Sequence, residues 1–297
     1  MKQKTKLKRL FLELIAIIIL SSMFVASSSA GDQVTVEIVS TEAGEWVSGF
    51  GWVGSVNILV DGEPYVEYCI EYDEYIYIGE TYTATLIPLE DTPENRAISY
   101  ILSWYEGNTD QEAYAIQVAI WKYATGNWMP DDPPRPRALE IYNDAYGRNV
   151  ARPGDVLTLS PASASVKPGS SQVLTAKLVD ANGQPRKNVK ILFYTDLGTL
   201  SSNVGFTDDN GEVKVELYCD EEGVANVQAV TNAYWAYELD LGDKQNLIPI
   251  GCPIEASTLI AVGKITFVIP EVPLGTATVT VLSLFACTAL KTKKLRK

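Results

Sequence analysis

The hydrophobic pattern changes its period along the chain, and this change constrains the fold more than any other sequence feature. Between residues 34 and 87, apolar and polar residues alternate in short segments separated by Gly, Asp and Pro, as is typical of β-strands. From residue 94 to residue 146 the apolar residues recur at helical spacing. Only alternating segments follow. We therefore predict an α+β head unit over residues 31–150 and an all-β, Ig-like sandwich over residues 155–268.

The individual elements follow from the same patterns and from turn residues between them. The predicted strands of the first unit are residues 34–39, 56–60, 65–72 and 81–87, and its predicted helices are residues 94–105, 110–125 and 137–146. The predicted strands of the second unit are residues 157–159, 172–179, 189–194, 212–218 and 225–230. The long insertion at residues 231–255 has no predicted role.

The N-terminus is typical of an exported protein. Five basic residues precede an apolar stretch over residues 10–26, and small residues follow at 27–30. This order predicts a secretory signal peptide over residues 1–30. An uncleaved membrane helix is the alternative, and it also exports the rest of the chain.

The C-terminus predicts attachment to a membrane. Residues 274–290 carry no charge and are followed by five basic residues, which favours a short membrane span with a cytoplasmic end. A final buried strand is the alternative. The sequence from Ile269 to Thr276, with this apolar run and basic end, resembles the C-terminal sorting signals of archaeal surface proteins. The resemblance implies a cell-surface protein anchored through residues 269–297, which a membrane transpeptidase can cut near Pro270.

Charge and composition exclude several function classes. Residues 31–270 hold 14 basic and 35 acidic residues, a net charge of −21, which argues against nucleic acid as a partner. The chain has no histidine, so it has no Ser-His-Asp or Cys-His hydrolase site and no histidine metal site. The cysteines lack metal-ligand spacing. We expect no cofactor, no bound metal and no enzymatic turnover.

Three cysteines fall in the exported part, an odd number. Cys219 and Cys252 lie in the same predicted sandwich and can form a disulfide in an oxidising setting. In that pairing Cys69 has no disulfide partner. A pairing of Cys69 with Cys219 or with Cys252 is the alternative, and it would link the two units.

Cys69 and Gln117 each stand at an unexpected position. Strand alternation places Cys69 on a face with Glu67, Glu71 and Asp73, so we predict a polar face. Gln117 lies in the middle of the apolar stripe of its predicted helix. A buried carboxamide without partners costs about 1–3 kcal/mol. A core glutamine bonded to backbone is one explanation, and an internal thioester formed when the Cys69 thiol displaces ammonia from Gln117 is the other.

The sequence resembles two known families. The segments Ser-Val-Lys-Pro-Gly, Leu-Val-Asp-Ala-Asn-Gly-Gln-Pro and Thr-Asp-Asp-Asn-Gly-Glu-Val resemble the invasin type of bacterial Ig-like domain, which usually acts as a stalk. Tyr68-Cys69-Ile70, and later Ile116-Gln117-Val118-Ala119-Ile120-Trp121, resemble the paired motifs of thioester domains on Gram-positive surface adhesins. That resemblance implies a Cys69–Gln117 thioester, with Tyr68 and Trp121 packed beside the bond, that an amine or hydroxyl on a target can attack.

The sequence therefore predicts a membrane-anchored surface adhesin, outside the cell, that attaches covalently to a nucleophile on a surface protein or glycan. A structural or non-covalent binding protein of the envelope, with Cys69 and Gln117 merely packed, is one alternative. A cysteine-dependent acyltransferase of transglutaminase type is a second, which the absence of histidine disfavours.

Overall fold

The computed structural model describes residues 31–269 apart from 131–132, 243 and 251–256, and the side chains of residues 249 and 250 are likewise left undescribed. The predicted signal peptide and nearly all of the predicted C-terminal anchor lie outside these residues. Within the described part, no helix is long and apolar enough to cross a membrane.

The described elements form three sheets and three helices. In chain order they are β1 (Gln33–Val47), β2 (Gly51–Val60), β3 (Glu63–Cys69), β4 (Thr81–Pro88), α1 (Pro93–Trp104), α2 (Asp110–Thr125), α3 (Pro136–Ala145), β5 (Val156–Ser160), β6 (Ser163–Val166), β7 (Ser170–Val179), β8 (Lys190–Thr195), β9 (Thr199–Leu200), β10 (Val204–Phe206), β11 (Glu212–Cys219), β12 (Gly223–Ala233), β13 (Tyr237–Asp240), β14 (Leu247–Ile250) and β15 (Ser257–Phe267).

The first sheet is a closed barrel in the order β1-β2-β3-β14-β13-β4. Along β1 the buried side chains alternate with exposed ones, at Val34, Val36 and Ile38, because successive residues of a strand face opposite sides. Strands β13 and β14 come from the insertion at residues 231–255. The prediction of an α+β first unit is thus confirmed only in part, because two of its six strands are supplied by a distant segment of the chain.

The three helices follow β4; α2 packs on β1, β2 and β3 of the barrel, and α1 and α3 pack against α2. Two of them begin at threonine caps: Thr92 Oγ1 accepts the Asn95 N–H at 3.1 Å, and Thr109 Oγ1 accepts the Glu112 N–H at 3.3 Å. Helix α2 ends at Gly126, whose φ of 76° is the left-handed conformation that glycine adopts without strain. These local signals explain why the helix bounds lie within one residue of the sequence prediction.

The second unit consists of a five-stranded sheet, β10-β8-β12-β15-β6, and a four-stranded sheet, β5-β7-β11-β9. A separate hydrophobic core, which includes Leu174, Phe193 and Ile265, contains residues from both sheets. The two-sheet arrangement agrees with the predicted sandwich.

The insertion leaves the second unit at the end of β12 and enters the first core at once. Tyr234, Trp235 and Ala236 are buried in that core. The Trp235 indole N–H donates to the Leu89 carbonyl at 3.0 Å, and the Ala236 N–H donates to Ser99 Oγ at 3.2 Å. The two units are therefore joined by hydrogen bonds and shared core packing as well as by the chain that links them.

Candidate functional site

The side chain of Gln117 meets the backbone of Cys69 where α2 crosses the end of β3. The Cys69 N–H donates to Gln117 Oε1 at 2.9 Å, and Gln117 Nε2 donates to the Cys69 carbonyl at 2.7 Å. The two residues are 48 positions apart in sequence. Both predicted thioester partners therefore lie together, and both polar atoms of the carboxamide are hydrogen-bonded to the same residue.

Strand register explains why the Cys69 backbone is open to a side chain. Strand β2 pairs with β3 only as far as Val56 opposite Glu67, while the other edge of β3 continues along β14, with Leu247 opposite Cys69. In this register the partner of Cys69 on the β2 side would be Gly54, and the β2–β3 pairing ends before it. Gln117 occupies the place of the missing strand partner and satisfies two buried backbone groups.

A glycine allows this end of β2 to lie close against β1. Gly54 has a φ of 153°, and a Cβ atom there would overlap the carbonyl oxygen of Ala43 in β1. The close approach keeps this end of β2 against β1, beside a register shift between Thr41 and Gly44. The end of the β2–β3 pairing beside Cys69 thus lies next to an irregular part of the β1–β2 pairing.

The site is shielded from solvent. Gln117 is 1% exposed, as its position in the apolar stripe of α2 predicts, and Cys69 is 8% exposed. The predicted polar face for Cys69 is wrong, because Glu67 on the same face is 0% exposed. Strand β3 lies in a closed barrel against which α2 packs, so both faces of its last residues are covered.

Aromatic side chains lie in the same core as Cys69. Tyr68 is buried, and a Cβ atom at Gly107 would overlap its hydroxyl oxygen, so its side chain reaches the loop before α2. Trp121, one helical turn after Gln117, packs edge-on against Tyr72 with ring centroids 5.9 Å apart. Tyr72 in turn packs against Phe50. The predicted packing residues Tyr68 and Trp121 are both buried in the same core as Cys69, and their packing beside a thioester stays a prediction.

Burial keeps the thiol protonated. Burial raises the pKa of Cys69 well above its usual range, and the carboxyl groups of Glu67 and Glu71 raise it further. The pKa of Glu67 is itself raised well above its usual range by burial. Both carboxyl oxygens of Glu67 have no hydrogen-bond partner among the described residues. The environment therefore favours an uncharged thiol beside an uncharged carboxyl.

The other predicted cysteine site is only partly described. Cys219 is buried in the second core, where its thiol lies 3.3 Å from the Glu221 carbonyl. Cys252 lies outside the described residues, so its predicted pairing with Cys219 stays a prediction. Cys69 belongs to the first core and is not bonded to Cys219, so the alternative pairing of these two is absent. In the described ranges, no cluster of acidic or cysteine side chains could hold a metal ion.

Two residues of the site, Leu247 and Glu67, were not predicted from the sequence. Leu247 of β14 pairs with Cys69 and fixes the far edge of β3, but nothing near Leu247 in the sequence indicates this long-range contact. The sequence shows that Glu67 lies two positions before Cys69 and therefore on the same strand face. The burial of Glu67 was not predictable from the sequence, because a glutamate in a strand is ordinarily assigned to solvent.

Comparisons with known proteins bear on the second unit. Residues 156–234 match the family model of the bacterial Ig-like domain (group 1). This match confirms the Ig-like interpretation for that segment, and it does not extend to the head unit. No curated protein matches the chain.

Solved structures give partial matches. The D00-D0 domain of intimin is 23% identical, with 41% of this chain and 50% of that chain covered and a TM-score of 0.27. The Yersinia pseudotuberculosis adhesin InvE is 21% identical, with 36% of this chain and 25% of that chain covered and a TM-score of 0.20. A C-terminal fragment of intimin in complex with the translocated intimin receptor is 16% identical, with 37% of this chain and 62% of that chain covered and a TM-score of 0.22. The chain spans about half the length of the first two intimin structures it matches.

Proposed function

We propose that the protein is an exported surface adhesin, anchored to the membrane by its C-terminal tail, whose Cys69 and Gln117 form an internal thioester. The observation that carries the proposal is the pair of hydrogen bonds between the Gln117 carboxamide and the Cys69 backbone in a buried site. The paired sequence motifs support the same chemistry, and the Ig-like match of residues 156–234 supports a surface protein with a spacer domain.

The first step is condensation. Cys69 Sγ attacks Gln117 Cδ, the Sγ–Cδ bond forms, the Cδ–Nε2 bond breaks, and ammonia leaves with the thiol proton. The Cys69 N–H already donates to Oε1, the oxygen on which negative charge builds during the attack. A fixed donor at that oxygen stabilises the tetrahedral intermediate.

The second step is transfer to the target. An amine or hydroxyl on a surface protein or glycan attacks Cδ, an amide or ester forms, and the Cys69 thiol is released with the proton of the nucleophile. A thioester is a far better acyl donor than an amide, and the aromatic pair of Tyr72 and Trp121 excludes water until a target arrives. Each molecule is consumed by one transfer, so the protein is not an enzyme.

One observation favours a second candidate function. Both polar atoms of Gln117 are satisfied by Cys69, which accounts for a buried glutamine without any covalent bond. On this account the protein is a structural or non-covalent binding protein of the envelope, and Gln117 replaces a strand partner.

Labelling with a biotinylated primary amine separates the two candidates. The thioester predicts that the polypeptide of residues 31–270 takes up one amine on the Gln117 side chain, located by peptide mass spectrometry. Cys69→Ala and Gln117→Ala should take up none, and Cys219→Ala, which removes the other buried cysteine described, should label like the wild type. Absence of label in the folded wild type would support the non-covalent candidate.

A further inference from the structure

Glu67 is a buried acid that has no role in the condensation and transfer steps described above. It is 0% exposed, and neither of its carboxyl oxygens has a hydrogen-bond partner among the described residues. An ionised carboxylate in such a place is strongly disfavoured unless it is paired. The group is therefore held as the neutral acid, with one oxygen able to donate a proton and the other able to accept one.

Its position on β3 places it on the same face of the strand as the Cys69 thiol. Residues i and i+2 of a strand face the same side, so Glu67 and Cys69 share one face. Their Cα atoms are about 7 Å apart at the usual rise of a strand, within reach of a glutamate side chain. Glu67 is also close enough to the Cys69 thiol for an ionised carboxylate at Glu67 to raise the pKa of that thiol.

Other groups near Cys69 are less suited to move a proton. The carboxylate of Glu71 accepts the Asn246 N–H at 3.1 Å and is held at the end of β3. Tyr68 faces the opposite side of the strand, and burial raises the pKa of its hydroxyl above the usual range. The chain contains no histidine.

We propose that Glu67 is the proton-transfer residue of thioester formation, an inference that rests on the proposed function. As the Sγ–Cδ bond forms, the thiol proton passes to one carboxyl oxygen of Glu67. As the Cδ–Nε2 bond breaks, the proton on the other oxygen passes to Nε2, which leaves as ammonia. Glu67 ends the step as the neutral acid it was at the start, and the net charge of the buried site is unchanged.

The experiment follows formation of the bond during folding. Residues 31–270 are recovered unfolded and reduced, so that Gln117 is still an amide, then refolded by dilution, and samples are quenched with acid for intact mass. The wild type should lose one ammonia per chain. Glu67→Gln should lose it about 10²–10⁴-fold more slowly, the usual contribution of a general acid–base group.

Glu71→Gln is the matched control because Glu71 is the second carboxyl that raises the pKa of Cys69. If the two carboxyl groups acted only through their charge on the thiol, neither variant would be slower than the wild type. The proposal predicts a slow Glu67→Gln and a Glu71→Gln that is no slower than the wild type. Equal or faster ammonia loss in Glu67→Gln overturns the role of Glu67 and leaves the thioester in place.

Two further outcomes are decisive. A folded wild type that never loses ammonia overturns the proposed function and this inference together. Glu67→Met, which fills a similar volume without polar atoms, provides a second carboxyl-free variant. If circular dichroism shows that neither Glu67 variant folds, the carboxyl is required for the fold itself and the proton-transfer role is overturned.

Discussion

Gln117 completes the edge of β3 by forming two hydrogen bonds with the backbone of Cys69, one to each polar group of that residue. This relationship joins the helical layer to the barrel at a buried point. It also brings the carboxamide carbon of Gln117 to the residue whose thiol it must meet. Fold stability and the proposed chemistry therefore depend on the same contact.

Removing the Gln117 side chain should destabilise the fold. In a Cys69→Ala background, where no thioester can form, Gln117→Ala leaves a buried N–H and a buried carbonyl without partners. Each such group costs about 1–3 kcal/mol, so we expect a loss of about 2–6 kcal/mol in the free energy of unfolding, measured with urea. Gln111→Ala, an exposed glutamine on the same helix, is the control and should change stability by less than about 0.5 kcal/mol.

The first unit should not fold from residues 31–150 alone. That segment lacks β13 and β14, two of the six barrel strands, and it leaves the edges of β3 and β4 unpaired. We expect the segment to aggregate or to show no cooperative thermal transition, whereas residues 31–269 unfold cooperatively. A soluble, cooperatively folded segment of residues 31–150 would show that the insertion is dispensable.

Tyr72 should protect the thioester from water. It packs edge-on against Trp121 just beyond Cys69, and its removal opens the wall of the site. We expect Tyr72→Ala to hydrolyse faster than the wild type, seen by intact mass as a gain of water after the loss of ammonia. Tyr75→Ala is the control, because Tyr75 is 51% exposed in the same loop. Equal hydrolysis rates for wild type and Tyr72→Ala would exclude a shielding role for this ring.

Glu67 should make stability fall as the pH rises. Burial raises the pKa of Glu67 in the folded state, so above a pH of about 4.3 the unfolded chain releases a proton that the folded chain keeps. The folded state loses about 1.4 kcal/mol per pH unit over that window, up to the folded-state pKa.

The change that tests this is Glu67→Gln in the Cys69→Ala background. Because glutamine does not titrate, the variant should match its parent below pH 4 and become the more stable of the two as the pH approaches 7. Urea unfolding at several pH values measures the difference. A constant difference between the two proteins at all pH values would contradict a protonated Glu67 in the folded state.

Local features were predictable from the sequence. The threonines at 92 and 109 mark helix starts, Gly126 marks a helix end, and the spacing around Gln117 indicated its burial. Each of these signals acts within one or two helical turns, which is the range over which sequence pattern determines structure.

Long-range pairing was not predictable. Strands β13 and β14 are four residues each and lie inside an insertion of the second unit, yet they close a barrel formed mainly by residues 33–88. The burial of Glu67 and Cys69 follows from that closure. Alternation along β3 assigned the two residues correctly to one face, and only the tertiary structure shows that this face is covered.

Intact mass tests the thioester most directly. Residues 31–270 are purified in the folded state, and their mass is compared with that of Cys69→Ala before and after treatment with methylamine. An internal thioester predicts a wild type lighter than its formula by one ammonia, a variant at its full formula mass, and an adduct of methylamine on the wild type alone. A folded wild type at its full formula mass, with a Cys69 thiol that alkylates after unfolding, would contradict the thioester.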